Sequence, residues 1–147
     1  MTIAADAADP ETEARLRASF AKQSLMATFG ARIAAIAPGS VTLVAPILPG
    51  SRQQHGAAHA GLSFALGDTA AGYAALSLMA PDREVMTAEM KINLLAPALG
   101  ERLIAIGTVA KPGRRLFVTR ADVFAESGGE RRLVAILQGT MVPVDPA

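Results

Sequence analysis

The chain has 147 residues, no cysteine, and 14 basic against 13 acidic side chains for a net charge of +1. That length suits one core of ordinary domain size; the missing cysteines exclude disulfides, thiol nucleophiles and thiolate metal sites, and the balanced charge argues against nucleic acid or an anionic membrane as partner. With 51% hydrophobic but 4% aromatic residues, the core must be packed from Ala, Leu, Val, Ile and Met, with backbones in close approach.

Residues 1–10 are rich in Ala and Asp and are expected to be loose. They lack the basic-then-apolar pattern of a secretory signal, so a cytoplasmic location is expected. Residues 11–147 are expected to form a single domain. Residues 11–29 place Leu16, Phe20 and Gln23 or Ser24 at helical spacing and end at Gly30, which predicts one amphipathic helix. Beyond it, Pro38-Gly39, Pro49-Gly50, Pro81-Asp82, Pro97 to Gly100, Pro112-Gly113 and Gly128-Gly129 cut the chain into short segments.

Most of these segments predict strands, over 32–37, 41–47, 85–95, 102–110, 116–125 and 133–142. In 85–95 the alternation assigns Met86, Ala88, Met90, Ile92 and Leu94 to one face and Thr87, Glu89, Lys91 and Asn93 to the other. Short turns between the later strands favour an antiparallel meander. Residues 59–80 are too long for a strand and rich in Ala and Leu, so they predict a helix. His59, Asp68, Tyr73 and three glycines interrupt its apolar run and argue against a membrane span. The order strand, strand, helix, four strands is α+β, a long helix packed on an antiparallel sheet.

Helical spacing puts Asp68 on one stripe with Gly61, Phe64, Ala65, Gly72, Ala75 and Met79. A carboxylate there is costly unless paired, hydrogen-bonded or protonated. Three roles compete: a structural pair with Arg52 or Lys91, a general base or nucleophile, or a metal ligand beside His55 and His59. Gly56 between the histidines and the absence of a HExxH glutamate count against metal, and no metal is expected.

Residues 56–60 contain no Ser, Thr, Asp or Asn, so the first-turn N–H groups of the helix have no ordinary cap. They either hold a developing oxyanion or are capped by His59 or water. His59 and Asp68 lie about 13 Å apart along one helix. A single carbonyl can meet both ends only if they come from neighbouring subunits with antiparallel helices, which makes a dimer the minimum catalytic unit.

These residues resemble the hotdog fold and, within it, the phenylacetic-acid-degradation branch of acyl-CoA thioesterases. The pattern Asn-x5-His-Gly-Gly-x6-Asp of that family is matched by Gln53-x5-His59-Ala60-Gly61-x6-Asp68. The likeness continues through Thr87-Ala88-Glu89-Met90-Lys91-Ile92-Asn93-Leu94-Leu95-Ala96-Pro97 and Gly100-Glu101, covering about 29–144. The resemblance implies Asp68 as base or nucleophile, the N–H of Ala60 or Gly61 as oxyanion donor, His59 shaping that turn, and Gln53 and Thr87 positioning water. Ala60 in place of the first Gly and Gln53 in place of Asn are the departures. Two readings stay open for Phe64, Met79, Met86 and Met90, an acyl-pocket lining or plain core, and two for Arg114 and Arg115, binding coenzyme A phosphates or forming a solvated turn. The implied protein is a homotetramer of dimers that hydrolyses medium-chain or aryl-acetyl-type acyl-CoA, with coenzyme A as part of the substrate and no other cofactor. Two rivals are a dehydratase or hydratase, whose Asp-x-Asn-Pro-x-His pattern is absent, and a non-catalytic acyl-CoA-binding module, which Gln53 keeps open.

Overall fold

The computed structural model describes residues 6–147. The chain opens with α1 (Pro10–Phe20) and the short α2 (Ser24–Thr28), then forms β1 (Arg32–Ala37), β2 (Ser40–Pro46), a 3-10 turn at Pro49–Ser51, and α3 (Ala60–Leu76). Four strands follow: β3 (Glu84–Leu94), β4 (Arg102–Lys111), β5 (Phe117–Ser127) and β6 (Glu130–Val144). All pairings are antiparallel and the strands form one sheet in the order β1-β2-β4-β5-β6-β3. The helix α3 packs on one face of this sheet, which is the hotdog arrangement, and β1 and β3 are the two edges.

Close approach governs that packing. A Cβ built on Gly107 of β4 would lie 2.2 Å from the carbonyl carbon of Ala70 in α3, so helix and sheet backbones touch where neither carries bulk. Around this contact Leu62, Leu66, Leu43, Leu103, Val123, Leu137 and Met141 are buried and fill the layer. Low aromatic content is therefore a condition of the geometry, since a large ring at the crossing would lift the helix off the sheet.

Several expectations are corrected. The N-terminal helix is broken: Gln23 takes an extended conformation, φ −81° and ψ 98°, and starts the short α2, which turns Met26 into the core. Ala8 is buried and Asp9 caps α1 by accepting from Thr12 N–H at 3.0 Å, so residues 8 and 9 are not loose. Residues 1–5, part of the segment expected to be loose, lie outside the described residues. The helix predicted to reach residue 80 ends at Leu76, where the Arg15 guanidinium donates to the carbonyls of Leu76, Met79 and Ala80 at 2.9, 3.2 and 2.9 Å. That cation completes the C-terminal end of α3 and fastens α1 to it.

Strand β3 departs from strict alternation. Its register to β6 shifts between Thr87 and Glu89, leaving Ala88 as an extra residue. The bulge turns Thr87 towards α3, whereas Met86 is 60% exposed. Met90 and Ile92, past the bulge, are packed against the core. The stripe on α3 is corrected too. In the first half of the helix Leu62, Ser63, Leu66, Gly67 and Ala70 are buried, while Gly61, Phe64, Ala65 and Asp68 lie on the more open side. This helix is apolar on every side, so periodicity alone could not choose its contact face.

Gly107→Ala is expected to destabilise the fold by about 1–3 kcal/mol or more, because backbone on the far side has no side chain that can yield. Urea unfolding of the variant checks it; an unchanged midpoint would show that the helix–sheet separation is adjustable.

Candidate active site

Asp68 sits in the middle of α3 and is partly buried. Its Oδ1 accepts a hydrogen bond from Thr87 Oγ1 at 2.8 Å, across the space between helix and β3. The bulge at Ala88 makes this contact possible. Burial pushes the Asp68 carboxyl above the usual aspartate range, and the Thr87 hydroxyl pulls it part of the way back. Arg52, one cation considered for Asp68, donates instead to the carbonyls of Gly56 and Ile47 at 2.7 and 3.1 Å. Among the described residues, neither Arg52 nor Lys91 pairs with Asp68.

Asp68 and Thr87 line a cleft of about 230 Å³. Its other walls include Ser19 and Gln23 from the N-terminal helical segment, Tyr73 from α3 and Glu84 from β3. Tyr73, the chain's single tyrosine, shares a 3.0 Å hydrogen bond between its hydroxyl and Ser19 Oγ, and accepts a second from Gln23 Nε2 at 3.0 Å. Sequence reasoning missed these four wall residues. The signal was a lone phenol among alanines in α3, which burial tolerates only when the hydroxyl finds partners.

At the start of α3, His59 caps its own helix: its Nδ1 accepts from Gly61 N–H at 2.7 Å. A Cβ on Gly61 would stand 2.9 Å from that nitrogen, which explains glycine there. Of the alternatives weighed for the first turn, capping by His59 holds at Gly61, whose donor is occupied. Ala60 N–H donates to no group among the described residues. Ala60 and Gln53 line a second cleft, of about 420 Å³, together with Ser63 and the segment from Leu94 to Ala98. Gln53 Oε1 accepts from His55 N–H at 2.5 Å, and this bond helps set the loop before the helix.

The predicted site residues thus fall into separate groups within one chain. Asp68 and Thr87 share one cleft; Gln53 and Ala60 share the other, and the two have no lining residue in common. Phe64, 38% exposed, and Met86 lie on open surface, and Met90 packs from β3 against the core. Arg114 and Arg115 are exposed in the turn between β4 and β5, where Arg114 borders a cleft with Met79 and Arg83. Arg131, at the start of β6 and at the opposite end of β5, is committed to Glu126, with Nε donating to Oε2 at 2.8 Å. Among the described residues no three His, Asp or Glu side chains gather as a metal site, and no helix is long and apolar enough to cross a membrane.

Comparison with known proteins agrees with this architecture. A thioesterase family protein from Silicibacter pomeroyi is 43% identical, with a TM-score of 0.90 over 92% of this chain and 99% of that one. The PaaI protein of the phenylacetic acid degradation operon of E. coli shares the fold at 18% identity, with a TM-score of 0.85 over 96% of this chain and 99% of that one. A Deinococcus radiodurans protein named "Putative esterase" is 36% identical over 88 residues, a match that covers 59% of this chain and 56% of that protein's length. The model of the Thioesterase superfamily matches residues 55–131, from the loop before α3 to the start of β6, more than half of the chain, and the chain belongs to that superfamily.

Proposed function

We propose that the protein hydrolyses acyl-CoA thioesters with medium-chain or aryl-acetyl-type acyl groups, using one residue group at the N-terminus of α3 and another at its middle. The observation that carries this reading is the half-buried Asp68 carboxylate, hydrogen-bonded by Thr87 and facing a cleft, on the same helix as the open N–H of Ala60. Asp68 takes a proton from water as the water oxygen bonds to the thioester carbonyl carbon, or its own oxygen attacks that carbon. The oxyanion that forms accepts a hydrogen bond from Ala60 N–H at the positive end of a helix. The carbon–sulfur bond then breaks and coenzyme A leaves as the thiol, taking the proton that Asp68 removed from water; on the direct-attack route coenzyme A takes its proton from water, and a second water hydrolyses the acyl–Asp68 anhydride to release the acid. His59, by capping Gly61, holds the turn that aims the Ala60 donor. Thr87 orients the carboxylate.

Eight residues of helix separate Ala60 from Asp68, about 12 Å at 1.5 Å per residue. One carbonyl therefore uses Asp68 of one subunit and Ala60 of another, and two antiparallel copies of α3 form two such sites. The open side of α3 at Gly61, Phe64 and Ala65 and the exposed Met86 on the β3 edge are surfaces suited to that pairing. A tetramer of two dimers, coenzyme A phosphates at Arg114 and Arg115, and a cytoplasmic location belong to the same proposal. A second reading, acyl-CoA binding without hydrolysis, draws on Gln53, whose side-chain oxygen is already committed to His55 N–H.

Thiol release from a panel of acyl-CoA thioesters tests the reading. Asp68→Asn is expected to lower kcat by about 10²–10⁴-fold or more while the fold persists; equal turnover would remove Asp68 from the chemistry. Folded protein that binds acyl-CoA and releases no thiol from any substrate would establish the second reading.

The raised carboxyl makes two pH predictions. Activity should rise with pH as Asp68 ionises, and Thr87→Val should move that limb to higher pH, because the lost hydroxyl favoured the charged form. For stability, the folded chain holds the Asp68 proton more tightly than the unfolded chain. Its contribution therefore falls as pH rises from the ordinary aspartate range through the raised value, and is level above it. Asp68→Asn should accordingly match or exceed the wild type in thermal stability at neutral pH, with the difference closing in acid. A variant less stable at neutral pH would mean that the charge is compensated in the folded state.

Subunit sharing has its own test. Asp68→Asn and Gln53→Ala chains, each impaired alone, are unfolded, mixed in equal amounts and refolded. Half of the dimers are then hybrids, each with one complete site of two, so about one quarter of wild-type activity should return. No recovery would place both residues in the same subunit's site.

A further inference from the structure

The Thr87 hydroxyl stands between two acceptors. Its Oγ1 lies 2.8 Å from Asp68 Oδ1 and 3.3 Å from Met141 Sδ, and a threonine has a single O–H to donate. The fold sets this arrangement. Met141 of β6 pairs with Thr87 across the strands, at the last step before the bulge at Ala88. It is fully buried, and its sulfur reaches α3 at Gly72, one turn after Asp68, where a Cβ would stand 4.0 Å from it. Among the described residues, Thr87 is the one donor that meets this sulfur.

The contest between the acceptors turns on the charge of Asp68. A carboxylate oxygen outcompetes a thioether, which is a weak acceptor, so the charged Asp68 holds the Thr87 hydrogen bond. Once Asp68 carries a proton, its oxygen is an ordinary neutral acceptor and its new O–H needs a partner. Thr87 Oγ1 accepts that O–H when its own hydrogen turns inward to Met141. Without the sulfur, a hydroxyl turned inward would leave its hydrogen unpaired.

Resting on the thioesterase reading, we infer that Met141 is a positioning residue for the reaction: its sulfur accepts the Thr87 O–H when Asp68 takes a proton from water, and releases it when Asp68 is charged again. The water proton goes to Asp68, and the threonine O–H rotates without breaking. The sulfur favours the protonated carboxyl and so weakens the pull of the hydroxyl in the other direction. Glu84 of β3 and Tyr73 of α3 share the Asp68 cleft. From the N-terminal helices, Lys22 borders an adjoining cleft with Glu84, and Arg15 is bound at the end of α3. Further along β3, Glu89 accepts from Thr140; in β5, Arg120 pairs with Asp122; and β6 has no charged side chain over residues 133–144. All of these groups stay in place when Met141 is replaced, so a difference between variants reports the sulfur.

Met141→Leu keeps the volume and removes the acceptor. Wild type, Met141→Leu, Thr87→Val and the double variant are compared in two ways: carbon-13 NMR titration of the Asp68 carboxyl without substrate, and the pH profile of kcat for thiol release. Met141→Leu should move the titration and the acid limb to lower pH by about half a pH unit, opposite to Thr87→Val, and should move neither in the Thr87→Val background. No shift, a shift to higher pH, or the same shift without the Thr87 hydroxyl would overturn the inference, as would an acid limb that stays put while the titration moves. Circular dichroism and thermal melting establish folding. If Met141→Leu does not fold, norleucine in place of methionine removes the sulfur and keeps the shape, with Thr87→Val made in the same way as its control. The NMR titration stands apart from activity. A shifted titration in protein that releases no thiol removes hydrolysis and keeps the exchange of hydrogen bonds; an unshifted one removes the exchange whatever the turnover.

Discussion

The contact between Gly107 and Ala70 sets the terms for the rest of the molecule. Because β4 has no side chain at that point, α3 can lie with its backbone against the sheet, and its own contact residues must then be small or slender. Such a helix is apolar nearly all round, and its burial stabilises the fold through many short-range contacts instead of a few large rings. The thin layer also leaves little depth beneath α3 for a ligand. Clefts form where α3 meets its surroundings, at its N-terminal loop and along the border with α1 and β3.

Asp68 lies on that border. Full burial among Leu62, Leu66 and Ala70 would leave its charge uncompensated, whereas full exposure would leave it an ordinary carboxylate. Its actual position gives partial desolvation opposed by one hydroxyl, and the balance raises its affinity for a proton. A single backbone irregularity supplies the hydroxyl. Without the extra residue at Ala88, the Thr87 side of β3 could not be directed at the helix while Met90 and Ile92, further along, also pack inward. The bulge reconciles a polar demand at one end of the strand with an apolar demand at the other.

This irregularity also marks the boundary of what the residues reveal on their own. The six strands were legible because Pro-Gly and Gly-Gly turns punctuate them, and their observed limits fall within a few residues of the expected ones. The long helix was legible from its length and its Ala and Leu content. Its contact face was not, because apolarity on all sides gives periodicity nothing to distinguish. The reading of Met86 as an inward residue failed at the bulge, since nothing in Thr87-Ala88-Glu89 announces a shift of register. The break after Phe20 was hidden for a related reason: Gln23 fits a helical stripe well, and a distant phenol in α3 draws it out. At the candidate site, the spacing from His59 to Asp68 could be read, while the walls contributed by Ser19, Gln23, Tyr73 and Glu84 depend on tertiary contacts.

The same spacing explains why a helix, and not a loop, separates the two polar groups. Seventeen residues of regular α3 hold Ala60 and Asp68 at a fixed separation along one axis. His59 fastens the first turn at one end, and Arg15 fastens the carbonyls at the other. A flexible connection could bring the two groups together within one chain, but it would lose the orientation that an oxyanion donor and a carboxylate each need. A stiff helix keeps both orientations and forbids their meeting, so chemistry that requires both must recruit a second copy. If hydrolysis uses both groups as proposed, the need for a second copy follows from the stiffness of α3, which the thin, small-residue packing at Gly107 holds in place.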